Sequence, residues 1–267
     1  MPMIKQSKIT AIALLSDFGL EDGYVGIMKG VIAAINPSIP LIDLTHHIPP
    51  QQIWAARFCL MNAYPYFPKH TVFLAVVDPG VGSQRRSVAI ECSQGYLVGP
   101  DNGLFSGILT QYQAIKAVSL TNTDYWRVQD VSSTFHGRDI FAPVAAYLAS
   151  GVPLEDLGNP IPINSLVDFP LVSPQITEKN IQGSLQYIDH FGNLITNISS
   201  HQVKDKKWFI VVDNKTIKSG LTYSDVAPGE MITLIGSHGW VEIAINGGNA
   251  QEKLQLQWGD KITLNLQ

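Results

Sequence analysis

The chain is poor in cysteine. Two thiols, Cys59 and Cys92, stand in 267 residues, and their spacing matches neither a metal-ligand set nor a redox pair. Both lie in apolar surroundings and read as core residues. So few cysteines fit a reducing, cytoplasmic setting. Basic charge is equally thin: 18 Lys and Arg face 22 Asp and Glu, a net charge of −4. That balance argues against nucleic acid and against an anionic membrane as partners. No apolar run approaches the roughly 18 residues needed to span a bilayer. The apolar segment from Ile9 meets Asp17 after about eight residues and has no small-residue cleavage site, which makes it a poor signal peptide. Internal repeats and low-complexity tracts are also missing. Glycine is not scarce, but Gly80-Val81-Gly82 lacks the third glycine and the helix of a dinucleotide fingerprint, and no Gly-Lys-Ser/Thr follows it to make a phosphate loop.

What is present is material for a core. Apolar residues make up 45% and charged residues 15%, the balance of a folded globular chain long enough for one large or two ordinary domains. The most informative stretch is 71–86. Val72–Val77 is continuously apolar and predicts a strand buried on both faces. It ends in Asp78-Pro79-Gly80-Val81-Gly82, then Arg85-Arg86. Pro79 and Gly80 demand a tight turn, and Gly82 allows backbone to approach closely. The bland alternative is an ordinary turn with a surface ion pair.

Around this stretch the pattern predicts strands at 9–15 and 39–44 and helices at 23–35 (capped by Asp22) and 51–64. The resulting β-α-β-α-β order implies a parallel sheet with right-handed crossovers. Strands follow at 87–92, 96–98, 114–120 and 125–128, with a short helix after the loop 99–103. A helix at 140–149 is closed by Gly151 and capped by Asp139. Residues 151–180 hold five prolines and little periodicity, and read as a boundary. Beyond them, short strand-like segments at 183–189, 208–213, 231–235, 241–245, 254–256 and 261–266 predict a small barrel or sandwich without a convincing helix. The expectation is an α/β domain over 1–167 with a mainly parallel sheet, a linker over 168–180, and an all-β, barrel-like domain over 181–267.

Asp17, Asp78, Asp101 and His136 fall in strand-end or pre-helix loops, where α/β folds assemble sites. His136 and Asp139 lack a third partner at a recognised metal spacing, so no metal is expected. Adjacent His46 and His47 would point apart on a strand. Arg86 and Arg138 read as structural.

Six motifs then occur in order: Ser-Asp-Phe-Gly at 16–19, Asp-Gly-Tyr-Val-Gly at 22–26, Val-Asp-Pro-Gly-Val-Gly-Ser-x-Arg-Arg at 77–86, Pro-Asp-Asn-Gly-Leu at 100–104, Thr-Phe-His-Gly-Arg-Asp at 134–139, and Asp-His-Phe-Gly-Asn-Leu-x-Thr-Asn at 189–197. Together they resemble the S-adenosylmethionine hydroxide adenosyltransferases, relatives of the fluorinase and chlorinase. The resemblance runs from about residue 10 to the C-terminus.

The resemblance implies a cofactor-free hydrolase that converts S-adenosylmethionine and water to adenosine and methionine. It also implies a homotrimer with the ligand between one subunit's N-domain and its neighbour's C-domain. The family's catalytic Asp-Arg-His trio falls on Asp78, Arg85 and His136, with either Asp78 or His136 as the base. Asp17 matches the aspartate that accepts the ribose hydroxyls. Asp22, Asp189 and Ser237 match groups around the methionine ammonium and carboxylate. Asn193 and Gly247 match adenine contacts, and Phe135 the aromatic lining. Gly137 stands where the fluorinase has a halide-binding serine. The chain departs from the halogenases at Gln51, where they carry an aromatic residue over the ribose, and at Ile245, where they carry an arginine. The trio itself, absent from the halogenases, favours water over halide. A non-catalytic adenosine or S-adenosylmethionine sensor and a halide-using transferase are the competing readings.

Overall fold

Two hydrophobic patterns, one of solid apolar strands and one of alternating strands, build two separate units, 1–169 and 170–267. The computed structural model describes residues 11–169, 171–212 and 215–267. Residues 9 and 10 of the first expected strand, and residue 213 of a later one, lie outside them.

In the first unit, β1 (Ile12–Ser16), α1 (Tyr24–Ile35), β2 (Leu41–Thr45), α2 (Ile53–Ala63) and β3 (Thr71–Val76) follow the expected alternation. β4 (Ser87–Cys92), β5 (Gly95–Pro100), the single turn α3 (Ser106–Leu109), β6 (Ala114–Ser119), α4 (Ala142–Ala149) and the short β7 (Asn159–Pro160) complete it. The sheet order is β2-β1-β3-β5-β4-β6-β7. The pairings β1/β2, β1/β3 and β3/β5 are parallel, whereas β4 runs antiparallel to β5 and β6. Every residue of β1 and β3 is buried, as a strand covered on both faces must be. Each large apolar side chain there contributes roughly 1.5–3 kcal/mol of transfer free energy, which makes these strands a rigid base for the loops at their ends. On one face Met28 and Ile32 of α1 and Val144, Ala145 and Leu148 of α4 join Ile12, Leu14, Val72 and Leu74 in a single core.

Register decides what those loops bring together. Ser16 lies opposite Val76, and Leu15 opposite Thr45. The residues that follow, Asp17, His46 and Asp78, therefore leave three neighbouring strands at one end of the sheet.

Three local expectations are corrected. Gly23, not Asp22, precedes the first turn of α1, and no side chain caps it. The expected strand at 125–128 is replaced by a 3₁₀ turn, Thr123–Tyr125, because the Asn122 side chain accepts the Asp124 N–H at 3.2 Å and so competes with strand pairing. Asp139 does not cap a helix; it is fully buried inside a single π turn, Gly137–Phe141, that runs into α4.

The second unit contains β8 (Gln175–Ile176), β9 (Asn180–Ile188), β10 (Leu194–Ser199), α5 (Ser200–Val203), β11 (Trp208–Val212), β12 (Lys215–Lys218), β13 (Met231–Ile235), β14 (Trp240–Ile245), α6 (Ala250–Leu254) and β15 (Lys261–Leu266). Its antiparallel order, β12-β11-β15-β9-β10-β14-β13, is nearly closed by a bridge between Ser219 and Thr233. The barrel-like expectation holds. The segment at 254–256 is not a strand; Asn249 accepts the Glu252 N–H at 2.9 Å and starts α6 instead, an ordinary N-cap. Among the described residues no helix is long and apolar enough to cross a membrane.

Candidate active site

Asp78 leaves β3 with its side chain 6% exposed, and Arg85, 9% exposed, returns to it across the loop. Arg85 Nε donates to Asp78 Oδ1 at 2.9 Å and Oδ2 at 3.0 Å, and Nη2 donates to Oδ2. The same Nη2 meets His136 Nδ1 at 2.7 Å. The remaining terminal nitrogen donates to Ser87 Oγ at 2.8 Å, and the guanidinium lies 5.2 Å over the Phe141 ring. One planar fork thus fixes a carboxylate and an imidazole together. A lysine, with a single ammonium, has no equivalent geometry.

Gly82 shows why the loop can do this. Its φ is +77°, and a Cβ there would stand 2.5 Å from the Ser133 carbonyl oxygen. The backbone after Asp78 therefore rests directly on the segment that carries His136. That segment is anchored in turn by Asp139, which accepts from Arg127 Nε at 2.6 Å, Arg138 Nε at 2.8 Å, Arg138 Nη2 at 2.7 Å and the Ser132 N–H at 3.0 Å. Burial alone would raise the Asp139 pKa; the hydrogen bonds from both arginines and Ser132 outweigh it and hold the carboxyl far below its usual range. With its oxygens committed, Asp139 is a structural anchor for His136.

A guanidinium only donates, so His136 Nδ1 must accept, and the neutral ring carries its proton on Nε2. The electrostatics agree: burial, then the Arg85 charge, push the His136 pKa below its ordinary value, against weaker pulls from Asp78 and Asp139. Asp78 Oδ1 takes one of these hydrogen bonds and Oδ2 two, so the carboxylate keeps acceptor capacity on Oδ1.

An open cavity of about 400 Å³ lies over this trio, lined by Asp17, Asp78, Phe135, His136 and Gly137 among others. Phe18 and Tyr24, which the sequence did not single out as site residues, line it too. With Phe135 they form a mutual aromatic cluster with centroids 5.3–5.8 Å apart. Gln51 also faces it and donates its N–H to Asp17 Oδ2 at 2.7 Å. Both lie inside motifs quoted above, Phe18 at 16–19 and Tyr24 at 22–26. Asp22 is exposed and does not line the cavity. Asp101 serves elsewhere, accepting from Arg86 Nε at 2.8 Å and the Val167 N–H at 2.8 Å, while its neighbour Asn102 donates to the Val77 carbonyl at 2.9 Å and steadies the strand before Asp78. Among the described residues no group of three His, Cys, Asp or Glu side chains comes together to hold a metal.

The remaining expected residues belong to the second unit. Asp189 organises a turn, accepting the Phe191 N–H at 2.9 Å, the Asn193 N–H at 2.8 Å and Asn193 Nδ2 at 2.9 Å. Asn193 and Gly247 sit near one end of β14, since Leu194 pairs with Ile243. Exposed Ser237 sits in the turn before the other end. Beside it His238 Nε2 lies 3.2 Å from Glu242 Oε2, and Tyr223 donates to Glu242 Oε1 at 2.8 Å. Burial, then the Glu242 contact, push the Tyr223 phenol up to about 12.

Fold and site together define a class: an α/β unit with an ionic trio and an aromatic-lined cavity at its strand ends, followed by a small β-barrel unit. Residues 12–158 match the SAM hydroxide adenosyltransferase N-terminal domain, and residues 183–263 match the C-terminal domain of that name. The chain belongs to this family. It is 40% identical, over 94% of its length and 96% of the relative's, to the (R)-S-adenosyl-L-methionine hydrolase of Salinispora tropica. It is 25% identical to a fluorinase from an Actinoplanes species over 95% of this chain and 96% of that protein. The crystal structure of an uncharacterized conserved protein from Thermotoga maritima superposes with a TM-score of 0.88 at 36% identity, covering 95% of this chain and 99% of that one.

Proposed function

We infer that this chain hydrolyses S-adenosyl-L-methionine to adenosine and L-methionine by direct attack of water on the 5′ carbon. The observation that carries the reading is the Arg85 fork joining Asp78 and His136 beneath the cavity. The sulfonium is already a good leaving group, so the demand falls on the nucleophile. A water placed among the trio can donate to Asp78 Oδ1 and accept from His136 Nε2–H. As its oxygen bonds to the 5′ carbon, the carbon–sulfur pair goes to sulfur and neutral methionine thioether departs. The water proton passes to Asp78 and then to solvent. Asp78 is the base in this scheme, and His136 and Arg85 orient it and the water. The same buried carboxylate would repel a halide, which separates this chain from fluorinase-type chemistry.

Asp17 receives the ribose hydroxyls of the substrate, and Phe135 and Gly137 line the same cavity. Asp189, Asn193, Ser237 and Gly247, with Asp22, complete binding in a homotrimer whose neighbouring subunit supplies its barrel unit; the family resemblance supports this part. The scheme draws on no cofactor. A cytoplasmic location belongs to the same reading and rests on the free thiols Cys59 and Cys92. Asp78→Asn decides the matter: turnover to adenosine should fall by about 10³-fold or more, while calorimetric binding of S-adenosylmethionine stays within a few-fold. Unchanged turnover would remove the proposed base.

A further inference from the structure

The mechanism leaves one deeply buried histidine unused. His46 is 2% exposed and Ser16 fully buried. His46 Nδ1 lies 2.7 Å from Ser16 Oγ. Its Nε2 lies 3.2 Å from Asp43 Oδ1, and the other Asp43 oxygen takes Lys29 Nζ at 2.6 Å. Ser16 Oγ, hydrogen-bonded to this ring, also accepts the Phe18 N–H at 3.3 Å. The His46 carbonyl also accepts the Gly19 N–H at 2.8 Å. One residue therefore holds the chain on both sides of Asp17. A third tie joins the same two loops, from the Gln51 N–H to Asp17 Oδ2. Gln51 makes it at φ +65°, a conformation that a non-glycine residue keeps only when its surroundings impose it.

We propose that the His46 side chain is a positioning group for the ribose-binding carboxylate, acting through Ser16 to hold Asp17 where its free acceptor sites meet the vicinal diol of a ribonucleoside. The proposal rests on the reading of Asp17 given above. Its Oδ2 is already partly used by Gln51, so the placement of the remaining acceptor sites decides how well two hydroxyls are received at once.

The test compares calorimetric binding of adenosine and 2′,3′-dideoxyadenosine. The wild type should favour adenosine by about 100-fold, as charge-assisted hydrogen bonds to a partly buried carboxylate allow. Asp17→Ala should abolish that preference. His46→Ala should cut it about tenfold, raising KM for S-adenosylmethionine while kcat stays within about twofold. His46→Asn, whose amide reaches the place of Nδ1, should recover most of the preference. Ser16→Ala removes one hydroxyl without opening a large cavity and should reproduce the His46→Ala loss, so the proposal is testable even where His46→Ala folds badly. If Asp17→Ala loses the diol preference but Ser16→Ala and His46→Ala keep it whole, the positioning role is overturned and the ribose reading stands. If Asp17→Ala keeps the preference, the ribose reading fails and the proposal with it.

Discussion

In the α/β unit, Asp17, His46 and Asp78 leave three neighbouring strands at the same end of the sheet. In the barrel unit, Asn193 and Gly247 lie near one end of β14 and Ser237 near the other. The contrast follows from strand direction. Parallel strands all finish on one side, so every strand that ends in a polar residue feeds the same place. Antiparallel strands alternate, so successive turns point to opposite ends and residues from them line an extended surface. The first arrangement suits convergent chemistry; the second suits contact along a long ligand. The proposed chemistry accordingly falls to the first unit, while binding is shared between the two.

The sharpest way to break this division is Arg85→Ala, which strips the fork from both Asp78 and His136. Steady-state kinetics should show kcat lower by about 10³-fold. Arg85→Lys should not restore it, because one ammonium cannot hold both partners in a plane. Next in size, Asp139→Asn should lower unfolding stability by about 3 kcal/mol in denaturant titration, since it leaves two arginines facing a buried group without charge. A change confined to activity would contradict its role as an anchor. In the barrel unit, Asn193→Ala should raise KM about tenfold at nearly constant kcat; a fall in kcat alone would mean that the second unit takes part in the chemistry.

The smallest effect is in pH. His136 must be neutral to accept from Arg85, and its pKa is lowered by burial and by that same charge. The neutral ring therefore persists below the ordinary value of about 6.5. The acid limb of kcat/KM should have its midpoint below that value, with activity lost only as pH falls further. A midpoint above it would show that the ring is not held in this way.

Much of the first unit was legible because its signals are local. A solid apolar run specifies a doubly covered strand, and the carboxylate that ends it must emerge at a sheet end. Gly82 announced a close approach without naming Ser133 as the surface approached. What stayed hidden depended on which side chain takes which polar group, near or far in sequence. Nothing near Asp139 signals that Arg127 and Ser132 will take its oxygens, so a helix cap was the natural local reading. Likewise Asn122 and Asn249 are small signals that redirected two expected strands into helical turns. The link from His46 to Ser16 crosses two strands whose register only the folded sheet supplies. In the barrel, strand character was visible at most positions. Even so, β10 was folded into a motif and β12 went unread, because short alternating strands resemble the loops that join them.

The central claim is that water attacks the 5′ carbon of S-adenosylmethionine in the α/β unit's trio. It is tested most directly by incubating the purified protein with that substrate in oxygen-18 water containing chloride, and resolving the nucleoside products by mass. The account predicts adenosine carrying the label in its 5′ hydroxyl. A chlorinated nucleoside, or bound substrate that never turns over, would contradict it.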